Sequence, residues 1–126
     1  MASVTKPLGE LEQTVMDIVW RYERVNVRCV CTELNKRRAI AYTTVMTTME
    51  RLTKKGILQR RKIQKAYLYQ ATRNEQQFNA TVSRTMLGNL LRQYGDLAIA
   101  QFVDALDEID GSKLKELKRQ IDERAK

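Results

Sequence analysis

Histidine is absent from the 126 residues. Its absence removes the commonest general base and the commonest metal ligand together. Glycine is scarce and scattered, at Gly9, Gly56, Gly88, Gly95 and Gly111, so no glycine-rich loop is present to cradle a phosphate. Four of these five read as helix punctuation. Proline occurs once, as Pro7, just before the first amphipathic run. The two cysteines, Cys29 and Cys31, would lie ~200° apart on a helix, too far round to chelate one metal or bond to each other. Cys31 falls on an apolar stripe and reads as a core residue, Cys29 as incidental, with a redox or metal-sensing thiol as the other reading. No apolar run approaches the ~18 residues of a membrane span, and the opening MASVTKPLGELEQ lacks the apolar centre of a signal peptide. A cytoplasmic protein away from membranes is therefore expected. No acid–base constellation is visible, so neither catalysis nor a cofactor is expected. The acids Asp104, Asp107, Glu108 and Asp110 suit solvated helix ends as well as a metal site, and no metal ligand is assigned.

Basic charge is abundant, and all of its excess lies in one half. Residues 1–73 hold 15 Lys or Arg against 6 Asp or Glu, a net of +9, whereas residues 74–126 carry a net of −1. A basic half attracts a polyanion by releasing its condensed counterions. A near-neutral half has other work. The chain therefore divides into two expected domains, 1–73 and 74–126.

The basic half contains the stretch Ala41 to Arg61, AYTTVMTTMERLTKKGILQRR. At ~100° per residue, Tyr42, Val45, Met46, Met49 and Leu52 gather on one side of a helix. Thr43, Thr44, Thr47, Thr48, Arg51, Lys54 and Lys55 gather on the other. Five threonines between positions 43 and 53 are poor material for helix stability. Their hydroxyls suit phosphates and base edges, and their methyls suit the thymine methyl. Arg51, Lys54 and Lys55 add charge for a nucleic-acid backbone. A polar side that is merely solvated is the competing reading.

Around this helix the periodicity predicts a helix over about residues 8–22, with Trp20 off its apolar stripe and free to anchor against something else. A second helix carrying Val27, Val30, Cys31 and Leu34 follows, capped by Asn26 and ended by Arg37 and Arg38. After Gly56 the period changes to that of a hairpin. Tyr67 and Tyr69 share one face of it, and Lys62 to Lys65 form its tip. Three helices followed by a basic hairpin is the plan of a winged helix-turn-helix: helix three enters the DNA major groove, and the wing reaches a neighbouring stretch of backbone or minor groove, with Arg60, Arg61, Lys62 and Lys65 expected on phosphates.

The second half reads as helical throughout. A capping box is expected at Thr72 and Glu75, and Phe78, Val82, Leu87, Leu90, Leu91 and Tyr94 stripe a long helix up to Gly95. Leu97, Ala100, Val103 and Leu106 mark another helix. Ser112 caps a last one with Leu114, Leu117 and Ile121. Such helices are marginal alone. A second copy of the chain is their expected partner, with Phe78, Leu87, Leu90, Leu91 and Val103 in the seam. The expected fold class is thus mainly α with a small β-hairpin wing: a winged helix-turn-helix followed by a helical dimerisation region.

In this order the segments resemble the penicillinase-repressor family, the BlaI/MecI/CopY group of transcription regulators. LGELEQTVMDIVW (Leu8 to Trp20) and VNVRCVCTELN (Val25 to Asn35) look like the family's first two helices. AYTTVMTTMERLTKKGIL (Ala41 to Leu58) looks like its recognition helix, AYLYQA (Ala66 to Ala71) like its wing, and IAQFV (Ile99 to Val103) like a segment of its dimerisation region. The resemblance implies a homodimeric repressor on a partly palindromic operator in double-stranded DNA. It also implies a sensor protease that cuts at an Asn-Phe bond in the best-known members; here the matching pair is Gln101–Phe102. The C-terminal Cys-x-Cys pairs of copper-responsive members are missing from ELKRQIDERAK. A non-specific architectural DNA-binding protein is the alternative, and it would use the same charge without reading bases.

Overall fold

The computed structural model describes residues 7–126; the first six, on which the signal-peptide reading partly rests, lie outside the described residues. The element order is α1 (Glu10–Arg21), α2 (Val27–Asn35), α3 (Tyr42–Lys54), β1 (Leu58–Ile63), β2 (Ala66–Ala71), α4 (Glu75–Tyr94), α5 (Asp96–Ala105), a short 3-10 turn (Leu106–Glu108) and α6 (Gly111–Ala125). The chain forms two compact units, Met1–Met86 and Leu87–Lys126.

In the first unit α3 packs against α1, α2 and β1. Val15, Met16, Val19, Val30, Val45, Met49, Leu52, Leu58 and Tyr69 are its most deeply buried side chains. The local chemistry explains the turns between elements. Asn26 caps α2, its side-chain oxygen accepting from the Cys29 amide at 2.8 Å, which satisfies a donor left free at a helix start. At the end of α3 Gly56 takes φ 80°. The Ile57 amide then reaches Leu52 O and the Gly56 amide reaches Thr53 O, both at 3.0 Å, the paired closure that a left-handed residue permits. Leu52 and Ile57 are both buried there.

The antiparallel hairpin pairs Leu58 with Ala71 through to Ile63 with Ala66. Its tip is Gln64–Lys65, shorter than the expected Lys62 to Lys65. Gln64 has φ 57°, a left-handed conformation usually filled by glycine or asparagine, so this turn forms without the residue pair that would have marked it in the sequence. A bridge between Val25 and Tyr69, with N···O distances of 3.0 and 2.7 Å, ties the α1–α2 connection to β2. Thr72 closes the hairpin base, its hydroxyl donating to Gly56 O at 2.7 Å and Ile57 O at 3.0 Å. The box expected at Thr72 and Glu75 forms instead at Asn74 and Gln77, which exchange side-chain and amide bonds of 2.8 and 3.0 Å.

The domain boundary expected after residue 73 falls later, because Phe78 and Val82 on α4 are buried in the first unit. Trp20 anchors against Phe78, with ring centroids 5.5 Å apart, and its indole N–H donates to Arg73 O at 3.0 Å. Phe78 is therefore a core residue of the first unit and is corrected from its expected place in the dimer seam. Periodicity told which face of α4 is apolar, but not which unit that face completes.

The second unit contains the rest of α4, then α5, the 3-10 turn and α6. It has no buried residue. Gly95, at φ 53°, separates α4 from α5. Asp110 rather than Ser112 caps α6, accepting from the Lys113 amide at 2.9 Å.

Candidate nucleic-acid interface

The exposed side of α3 carries Thr43, Thr44, Thr47, Arg51, Lys54 and Lys55, together with Tyr42. Thr48 departs from the expectation: it is 4% exposed, and its hydroxyl donates to Thr44 O at 2.9 Å. Threonine can bury cheaply in a helix because its hydroxyl finds the carbonyl one turn back. The true core face of α3 is therefore Val45, Thr48, Met49 and Leu52. Tyr42, assigned to the apolar side, stands 48% exposed, and Met46 is half-buried. Met46 packs against the core as its stripe implied, so Tyr42 alone of the expected apolar side is exposed. Glu50, half-buried and midway between Thr43 and Met46 in helical angle, was also missed. That angle was the available signal.

Lys55 is engaged within the protein. Its ammonium lies 2.8 Å from the Glu12 carboxylate, joining the start of α1 to the end of α3. Burial pushes the Glu12 carboxyl up. The hydrogen bonds from Lys55 and the Gly9 amide, with the charges of Lys55 and Arg51, outweigh it and hold the group below the ordinary glutamate value.

The turn between α2 and α3 is held by Asn35, which sequence reasoning did not single out. Its amide donates to Cys31 O at 2.7 Å and Ile40 O at 3.1 Å, and its carbonyl accepts from the Ile40 amide at 3.1 Å. One side chain thus fixes where α3 begins. Cys31 is half-buried beside this turn and Cys29 is exposed. Arg28, Thr32, Lys36 and Tyr42 line a shallow groove over the same turn.

The wing splits its charges between two faces, as alternation along a strand requires. Arg60 lies opposite Tyr69 and Lys62 opposite Tyr67. The Arg60 guanidinium donates to the Tyr69 hydroxyl at 3.3 Å and sits 4.3 Å from the Tyr67 ring centroid. The Tyr69 bond raises the guanidinium above its ordinary value, and the fields of Tyr69, Tyr67 and Glu50 add to it. Arg61 is on the other face and lines a cavity of about 230 Å³ with Arg24, Gln59, Ile63, Leu68 and Gln70, to which Arg60 also contributes. Lys65 stands at the tip. All four expected wing cations are exposed.

In the second unit Leu87, Leu90, Leu91 and Val103 are 45–54% exposed. Gln101 and Phe102 lie inside α5, and Phe102 is 48% exposed. No described helix is long and apolar enough to cross a membrane.

Three helices, a pinned turn and a basic two-stranded wing define the first unit as a winged helix-turn-helix. The chain belongs to the penicillinase repressor family, whose family model matches residues 8–123. It is 46% identical over 70 residues to the Transcriptional regulator BlaI of Mycobacterium tuberculosis, covering 55% of this chain. There the match spans only about half the length of the relative. The Penicillinase repressor of Bacillus licheniformis is 24% identical over 116 residues, 92% of this chain and 90% of that one. Among solved structures, the DNA binding domain of the repressor BlaI superposes with a TM-score of 0.52 at 27% identity, over 58% of this chain and 89% of that one. The hsRosR-S1 structure matches in fold, with a TM-score of 0.51 at 16% identity over 79% of this chain and 95% of the other.

Proposed function

We propose that this chain is a sequence-specific DNA-binding transcriptional repressor that acts as a homodimer on a palindromic operator. The observation that carries the reading is the exposed side of α3. It presents hydroxyls, the Tyr42 ring and cations together, on a helix held by Asn35 at one end and by the Gly56 closure at the other. In a winged helix this is the element that enters the major groove. Thr43, Thr44, Thr47 and Arg51 contact bases or their flanking phosphates, Lys54 contacts backbone, and Arg60, Arg61, Lys62 and Lys65 supply phosphate contacts from the wing.

The second unit supports the dimer. Ten large apolar side chains are exposed there: Leu87, Leu90, Leu91, Tyr94, Leu97, Ile99, Phe102, Val103, Leu114 and Ile121. An apolar surface of that extent marks an interaction face, and a second copy suits a twofold operator. Relief of repression by a sensor protease at Gln101–Phe102 is the regulatory part of the proposal. Because the bond lies within α5, cutting requires local unwinding. Mass spectrometry of the chain from induced cells reads this directly, and an intact 14.7 kDa chain under induction contradicts it.

The test of base reading is Thr47→Val, which keeps the shape and removes the hydroxyl. Binding to the operator should weaken by about 1–3 kcal/mol, with binding to random duplex little changed. Equal losses on both duplexes would leave Thr47 on the backbone. A wild type with no preference between the two would favour an architectural role.

A further inference from the structure

Glu50 is the only carboxylate between residues 41 and 73, a stretch with eight lysines and arginines. Opposite charges in such company normally pair, yet Glu50 takes part in no ion pair among the described residues. Arg60, whose charge feels Glu50, is bound to the Tyr69 hydroxyl and stacked on Tyr67 instead. Lys54, four residues on, is in register for an i,i+4 pair but makes none. Glu50 lies on the same side of α3 as Thr43, Thr47 and Lys54, half-buried at the foot of the exposed polar face.

Resting on the repressor reading, we propose that Glu50 is a specificity-determining residue that accepts a hydrogen bond from the exocyclic amine of one cytosine in the operator. An ionised carboxylate is an acceptor only. Facing DNA, it is repelled by phosphates and by the acceptor atoms that guanine and thymine show in the major groove. Only cytosine N4 and adenine N6 offer N–H donors there. Adenine also sets its N7 acceptor beside N6, so the second carboxylate oxygen is repelled. On the flank of N4 away from its partner, cytosine shows only a C5–H where adenine shows N7; on the other flank the paired guanine O6 matches the thymine O4 beside adenine N6, so it is the N7 flank that separates the two. The carboxylate therefore penalises every register of the protein on DNA except the one that places cytosine beneath it. This is discrimination built from repulsion as well as attraction.

The experiment enriches bound sequences from a library of randomised duplexes with the full-length wild type, Glu50→Gln and Glu50→Ala. The wild type should enrich cytosine at one position of its site, by between about five-fold and a hundred-fold over the other bases. Glu50→Ala should lose that preference and bind random duplex more tightly. Glu50→Gln has nearly the same shape and both a donor and an acceptor, so it should move the preference to adenine. A wild type that enriches no sequence overturns the repressor reading and this inference with it. A wild type that enriches an operator while Glu50→Ala and Glu50→Gln enrich the same bases overturns this inference alone.

Discussion

The two units differ most in where their apolar side chains go. All sixteen buried hydrophobic residues among the described positions lie at or before Val82, in the first unit. The second unit buries none, although α5 and α6 carry leucine, isoleucine, valine and phenylalanine at helical spacing. One unit closes its own core and displays charge. The other displays its would-be core. Composition hides this, because both halves contain apolar residues in similar patterns. The difference is one of geometry: in the first unit three helices and a hairpin surround a common centre, whereas three helical segments of the second leave their stripes unopposed. On the proposed reading the first unit faces DNA, and the second faces its copy.

The largest expected effect follows from placing a charge in the unopposed surface. Leu91→Asp would put an uncompensated carboxylate into the apolar seam. Sedimentation should then show monomers. Operator affinity should fall by ~10²–10⁴, since joint engagement of two half-sites is lost. A dimer that survives the substitution would remove Leu91 from the seam.

Truncating one leucine in each unit should affect the two differently. Leu52→Ala, in the closed core of the first, should destabilise the chain by about 2–5 kcal/mol in denaturant unfolding. Leu97→Ala, at a position 60% exposed, should change the unfolding of a dilute monomer little, while raising the dimer dissociation constant. Similar unfolding losses at both sites, measured below the dissociation constant, would show that the second unit has a closed core after all.

A smaller effect tests how α1 and α3 are joined. Because Glu12 is held below its ordinary value in the folded chain, its contribution is fully present above the unfolded glutamate value of about 4.3 and is lost as pH falls through the lower folded value. Lys55→Met should cost about 1 kcal/mol near neutral pH, a modest figure because Lys55 is half-exposed. Unfolding curves of the two proteins should converge in acid, once the pH falls below the lowered value at which folded Glu12 protonates. A difference that persists in acid would assign the loss to packing of the lysine stem.

The smallest effect concerns the wing. A Lys62→Ala, Lys65→Ala pair should flatten the plot of log affinity against log salt by about one unit for each phosphate contact removed. An unchanged slope would take the hairpin tip out of the interface.

Much of this architecture was legible because its signals are local. Helical stripes marked α1 to α3, the change of period after Gly56 marked the hairpin, and Asn26 marked the start of α2. The faces were less legible where tertiary packing overrode chemical type. Thr48 looked like a reader and is core, because a carbonyl one turn back satisfies its hydroxyl. Tyr42 looked like part of the apolar side and is half exposed, because it opens α3 at the rim of a shallow groove along α2 rather than in the core. Phe78 belonged to the right stripe but to the other unit, and no periodicity tells where one core ends. Asn35 and Glu12 act through bonds to distant or turn-bound partners, which a single sequence does not display. Glu50 was within reach of the same angular argument that singled out the threonines.

On the proposed reading the two units divide the work between DNA and a second copy, and a single measurement addresses both halves. The full chain at micromolar concentration is sedimented alone and on a duplex carrying its enriched site, with random duplex as the control. The predicted result is a homodimer in free solution and two protomers on one operator duplex, with the random duplex displaced by modest salt. A monomer that binds both duplexes equally, one protomer at a time, would contradict it.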